Sequence, residues 1–145
     1  MSEPKPYVAV ASFCEHALQE QDGVYSIIRV IDTVTVKIPP GVTTAKPIIR
    51  YPLFIMLRAG DVRGKRTVRI QLRTPSNEIK GMLNPVPVVF TGEEQGVVLR
   101  VDVTYGVEEY GVFWAEVLVE EDVVARVPLR LRSAQESELP SPQKP

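Results

Sequence analysis

The sequence predicts an all-β protein folded as an antiparallel two-layer sandwich of about seven to eight strands. The strongest observation is the run from Val97 to Leu131, where Val97, Leu99, Val101, Val103, Tyr105, then Phe113, Ala115, Val117, Val119, then Val123, Ala125, Val127, Leu129 and Leu131 keep a period of two. That period sends alternate side chains to opposite faces of a pleated ribbon, which describes half-buried strands and excludes an amphipathic helix. Turn-forming clusters recur at roughly even spacing: Asp22-Gly23, Pro39-Pro40-Gly41, Gly60 to Lys65, and Glu120 to Asp122. With 145 residues the chain suits one domain that buries a core without disulfide or metal. These features fit an immunoglobulin-like or C2-like sandwich. A closed antiparallel barrel is the alternative, because both architectures bury one face of each strand.

The first strand is predicted over Tyr7 to Cys14, with Val8, Val10 and Cys14 on one face and Tyr7, Ala9, Ala11 and Phe13 on the other. Two fairly apolar faces suggest an interior strand or one covered on both sides. The polar stretch Glu15 to Asp22, closed by Gly23, reads as a turn. A second strand, Val24 to about Ile38, is long enough to require a bend near Asp32 that divides it into two pairings. After the loop Gly41 to Pro47, Ile49, Tyr51, Leu53, Ile55 and Leu57 alternate through Ile48 to Ala59. Pro52 lacks an N–H, which places that strand at a sheet edge or at a bend. Gly60 to Lys65 forms a turn, and Thr67 to Arg73 resumes alternation with Val68, Ile70 and Leu72 inward. The Pro- and Gly-rich stretch Thr74 to Pro87 reads as a loop packed on the core through Ile79, Met82 and Leu83, followed by a short strand, Val86 to Phe90. The domain is bounded at 7–132, between a flexible N-terminus, 1–6, and a Pro- and Ser-rich tail, 133–145, too poor in apolar residues to offset its ordering entropy.

Seventeen Lys and Arg against eighteen Asp and Glu give a net charge of −1, so no bulk attraction to nucleic acid or to an anionic membrane is expected. One cysteine, Cys14, and an N-terminus without a secretory pattern point to a reducing, cytoplasmic setting. No apolar run reaches the roughly 20 residues a membrane helix requires.

Chemistry-bearing constellations are sparse. One cysteine and one histidine, Cys14 and His16, supply neither a zinc ligand set nor a convincing nucleophile and base; a buried thiol beside a loop histidine is the simpler reading. Asp22, Asp61 and Asp122 are isolated, so no calcium site is expected either. Gly60 to Thr67 fails as a phosphate loop: three residues separate Gly60 and Gly64, and Arg66 follows Lys65. No cofactor, metal or catalytic residue is assigned.

Two surface features stand out. Arg69 and Arg73 lie at outward positions of one strand, and Arg126, Arg130 and Arg132 at outward positions of the last. Were those strands neighbours, they would form a basic stripe able to meet phosphates or an acidic partner, unless Asp102, Glu116 or Glu120 neutralise it. Trp114 takes the register opposite to Phe113, Ala115, Val117 and Val119, in company with Tyr110 and Val112. It is either an outward interface anchor or the core of a strand covered on both faces.

The run Tyr7 to Ala11, the run Gly23 to Asp32, and Tyr110 to Val119 leading to Val127-Pro128-Leu129 together resemble a family of small bacterial all-β proteins of uncharacterised function. In that family a turn leads into a strand ending in Ile-Asp or Phe-Asp, and the closing hairpin runs through an aromatic and a Val to Asp-Gly and then Pro-Leu. Here Glu121 and Asp122 stand where Asp-Gly is usual. The resemblance spans most of residues 7 to 132 and implies a cytoplasmic β-sandwich of bacterial or phage-related origin, with no activity to carry over. The expected function is a non-enzymatic interaction module, an accessory subunit or homo-oligomer that binds a protein partner or itself. The alternative is a small-ligand or polyanion module using the arginine face.

Overall fold

A computed structural model describes residues 5–37 and 46–134, and these form ten strands in two sheets. The strands are β1 (Tyr7–Gln19), β2 (Tyr25–Ile31), β3 (Thr33–Val36), β4 (Ile48–Arg58), β5 (Arg63–Arg73), β6 (Ile79–Met82), β7 (Val86–Thr91), β8 (Gly96–Gly106), β9 (Gly111–Val119) and β10 (Asp122–Ser133). The expectations for Pro39-Pro40-Gly41, for most of the loop after it, and for nearly all of the 133–145 tail fall outside the described residues.

The first sheet has the order β2-β1-β4-β8, the second β3-β10-β9-β5-β6 with β7 also on β5. The sheets do not close on each other, so the molecule is a sandwich and not a barrel. Their inner faces meet through Phe13, Leu53, Ile55, Leu57 and Val103 of the first sheet and Ile70, Leu72, Phe113, Val117, Leu129 and Leu131 of the second. The Tyr105 and Phe113 rings touch edge-on across the gap, with centroids 4.5 Å apart.

The predicted bend at Asp32 is the place where the chain changes sheets. β2 pairs with β1, and the next strand, β3, pairs with β10 through Arg130↔Thr33 and Arg132↔Thr35. That second pairing is parallel, which corrects the all-antiparallel expectation: the chain crosses between sheets without reversing direction. Splitting the long second strand, and finding β6 within a predicted loop, raises the strand number from the expected seven or eight to ten.

Five local expectations are also corrected. Glu15 to Gln19 continue β1 instead of turning, because Ala17↔Ile27 and Gln19↔Tyr25 extend the hairpin ladder; the turn itself is closed by Gly23 at φ 87°. The face assignment in β1 fails at an irregularity between Val8 and Val10, across which Val8, Ala11 and Phe13 all reach the core. Pro52 lies in an interior strand, paired with Asp102, but the β1 ladder ends at Phe13↔Leu53, so the missing N–H falls where that flank has no strand partner. Ile79 and Met82 are exposed on β6, and only Leu83 packs onto the core. The turn expected over Gly60 to Lys65 is tighter, with Val62 donating to the Ala59 carbonyl and β5 starting at Arg63.

Candidate functional site

Every surface residue singled out from the sequence lies on or beside the outer face of the second sheet, in a grid that follows from strand register. β9 runs between β10 and β5. Across the three strands the rows read Arg73–Trp114–Pro128, then Gln71–Glu116–Arg126, and Leu118 faces Arg69. Toward the other end, Val112 pairs with Arg130, whose far side meets Thr33 of β3, while Arg132 meets Thr35. All these residues are outward because Phe113, Ala115 and Val117 on β9 and Val127, Leu129 and Leu131 on β10 claim the buried face.

Glu116 is the anchor of the grid. Its side chain is 8% exposed. Gln71 Nε2 donates to its Oε1 at 2.8 Å, Arg73 Nε donates to the same oxygen at 3.1 Å, and Arg126 Nε lies 3.2 Å from Oε2. Burial works against ionisation of this carboxyl, but the hydrogen bonds from Gln71 and Arg73 and the charges of Arg73 and Arg126 outweigh it and hold it below the ordinary glutamate range. One carboxylate thus orients two guanidiniums. Arg73 also donates to the carbonyl of Asn77 at 3.2 Å, and the Arg126 guanidinium stacks over the Trp114 ring, 4.5 Å from its centroid.

Trp114 is half-buried on the outward register of β9 and so lies outside the core. Arg126 covers one side of it. Another side opens into a groove of about 330 Å³ lined by Asp32, Thr33, Val112, Trp114, Pro128 and Arg130. A second groove of about 310 Å³ continues from Arg130 past Leu131 and Arg132 to Tyr110 and Gly111. Tyr110 itself precedes β9 and is exposed. Among the described residues, neither Arg69 nor Arg130 has an ion pair, and Arg132 donates only to Thr35 Oγ1 at 3.3 Å. The structure therefore joins the interface candidates Trp114, Tyr110 and Val112 with Arg73, Arg126, Arg130 and Arg132 in one surface, and sets Arg69 at its margin.

Sequence reasoning missed a second surface. On the outer face of the first sheet, Cys14, Ala17 and Phe54 form a small buried cluster with Tyr25, Ile27, Met56 and Val98. A shallow apolar groove of about 480 Å³ runs beside it, with Val10 and Val24 at its rim. The sequence signal for it was the apolar character of both faces of Tyr7 to Cys14. Cys14 is fully buried with its Sγ 3.9 Å from the Pro52 carbonyl oxygen, and burial pushes its thiol pKa up. His16, by contrast, is exposed. The pair is not arranged as a thiolate and base.

Among the described residues no group of three or more His, Cys, Asp or Glu side chains is placed to hold a metal ion, and no helix is long and apolar enough to cross a membrane.

No family model matches the chain, and no curated protein matches its sequence significantly. Among solved structures the chain is similar to a β-glucosidase from Listeria innocua in complex with isofagomine, at 13% identity and a TM-score of 0.45, over 59% of this chain and 14% of that one. It is also similar to an immunoglobulin-like protein from Pseudomonas aeruginosa, at 12% identity and a TM-score of 0.40, over 88% of this chain and 97% of that one.

Proposed function

We propose that the protein is a non-enzymatic interaction module, an accessory subunit whose partner-binding surface is the outer face of the second sheet. The observation that carries this reading is Trp114, an aromatic residue held outward by the Arg126 guanidinium beside an open groove. A large, rigid, partly desolvated aromatic flanked by arginines has the composition of an interface anchor. The grooves on that face are lined by Arg130 and Arg132, and beside them Glu116 holds Arg73 and Arg126, an arrangement suited to holding a surface in register.

The test is recovery of the tagged chain from the cells that naturally make it, as wild type and as Trp114→Ala, with equal folding verified by thermal melting. A partner retained by the wild type and lost by the variant supports the reading. Identical bound sets for the two proteins remove it.

The apolar groove beside Phe54 favours self-association as a second reading, because its rim exposes Val10 and Val24. Light scattering measures it directly: a wild-type dimer that Val24→Glu converts to a folded monomer supports it, and a monomeric wild type ends it.

A further inference from the structure

We propose that the outer face of the second sheet captures an acidic, extended segment of the partner protein, with a carboxylate on Arg130 and an apolar side chain seated against Trp114 and Val112. This rests on reading that face as the partner surface and adds the chemistry of what it takes.

Charge complementarity is the first argument. Among the described residues the face carries five guanidiniums, Arg69, Arg73, Arg126, Arg130 and Arg132, against two carboxylates, Glu116 and Asp32, in a chain whose net charge is −1. Glu116 is shared by Arg73 and Arg126, so it cannot neutralise both. Asp32 lines the groove beside Arg130, and among the described residues no ion pair joins the two, although Arg130 N donates to the Asp32 carbonyl at 2.9 Å. The backbone contact fixes the main chain at Arg130, and its guanidinium has no ion pair among the described residues. A guanidinium so placed matches a carboxylate in two-pronged geometry.

The same charges exclude a second copy as the occupant. A two-fold contact through this patch would set guanidiniums against guanidiniums, which opposes association. An acidic polypeptide fits better than a nucleic acid, for two reasons. Arg126 already covers one side of Trp114, which removes a stacking platform for bases, and Tyr110 sits in the neighbouring groove, off the Trp114 row. The apolar floor made by Val112, Trp114 and Pro128 instead suits an aliphatic or aromatic side chain next to the carboxylate.

Trp114 is the only tryptophan in the chain, so its emission reports the site without a label. The full chain is titrated with three probes of matched length: a glutamate-rich peptide carrying one leucine, the same peptide with glutamine for glutamate, and single-stranded DNA. Expected is a change of Trp114 emission with the acidic peptide that weakens by about tenfold or more between about 50 and about 300 mM salt. Arg130→Ala weakens it by about tenfold and Arg130→Glu abolishes it, while Arg100→Ala, on the first sheet, binds as wild type. The inference is overturned if the glutamine peptide binds equally, if the Arg130 variants bind as wild type, or if DNA binds tighter than the acidic peptide. It is also overturned, with the parent reading intact, if Trp114→Ala loses a cellular partner while the acidic peptide leaves the emission unchanged.

Discussion

Replacing Glu116 by Gln tests the electrostatic frame on which the Trp114 face depends. The carboxylate accepts from Gln71 at 2.8 Å and from Arg73 at 3.1 Å and lies 3.2 Å from Arg126 Nε. Glutamine keeps the size and one acceptor oxygen, so the buried Gln71 amide stays partnered, while the charge on two ion pairs is lost and an NH2 donor replaces the oxygen that faces Arg126. Arg73 and Arg126 side chains are 24% and 48% exposed, so solvent screens both, and each pair is worth a few tenths to about 1 kcal/mol. The expected cost of Glu116→Gln is therefore about 1–2 kcal/mol. Glu116→Ala also strands the Gln71 amide, which adds about 1–3 kcal/mol. In a chain of this size each kcal/mol lowers the melting temperature by roughly 3–4 °C.

The pH dependence gives a second reading of the same interaction. The folded pKa of Glu116 is depressed, so its contribution is present in full above the unfolded value, near ~4.3, and is lost as pH falls through the folded value. Denaturant unfolding of wild type and Glu116→Gln at matched pH isolates this group, since the other carboxylates titrate in both proteins. The difference should be flat from about pH 6 to 8 and shrink below about pH 4 as the wild-type carboxyl becomes neutral. A difference under about 0.5 kcal/mol at neutral pH, or one that persists unchanged to about pH 3, refutes the reasoning.

Adjacent residues on β9 should behave oppositely: Phe113→Ala, which empties a core position, costs about 3–5 kcal/mol in denaturant unfolding, whereas outward Trp114→Ala costs less than about 2. Equal losses would show that Trp114 is packed as core. Cys14 should resist a thiol-reactive dye in the native state and label only on unfolding, because it is fully buried and its pKa is raised; fast native labelling contradicts this. Gly111→Ala should lower stability by at least about 1 kcal/mol, since Gly111 has φ 132° and an added Cβ would sit 3.0 Å from the Pro75 ring; an unchanged melting curve contradicts it.

Much of the architecture is legible because strand alternation is a local code. Val97 to Leu131 specifies most of the side chains that turn inward on β8, β9 and β10, and the structure buries Val103, Phe113, Val117, Leu129 and Leu131 accordingly, but exposes Val123 where the β10 register shifts before Ala125. Asp32 likewise marks the division of a strand too long to stay in one pairing. Where alternation lapses, so does the reading: the irregularity after Val8 shifts the faces of β1, and the polar Glu15 to Gln19 is held extended by β2, a partner no local pattern names. The arginine face shows the same division. Alternation alone sets Arg69, Arg73, Arg126, Arg130 and Arg132 at outward positions, because their inward neighbours are apolar, but it leaves Trp114 either outward or core. Strand order is what sets β9 between β5 and β10, turns Trp114 to the surface and lets Glu116 gather Arg73 and Arg126 around it. Face is set by residues two positions apart in the chain, whereas neighbourhood between strands is set by pairing across dozens of residues, which alternation does not encode.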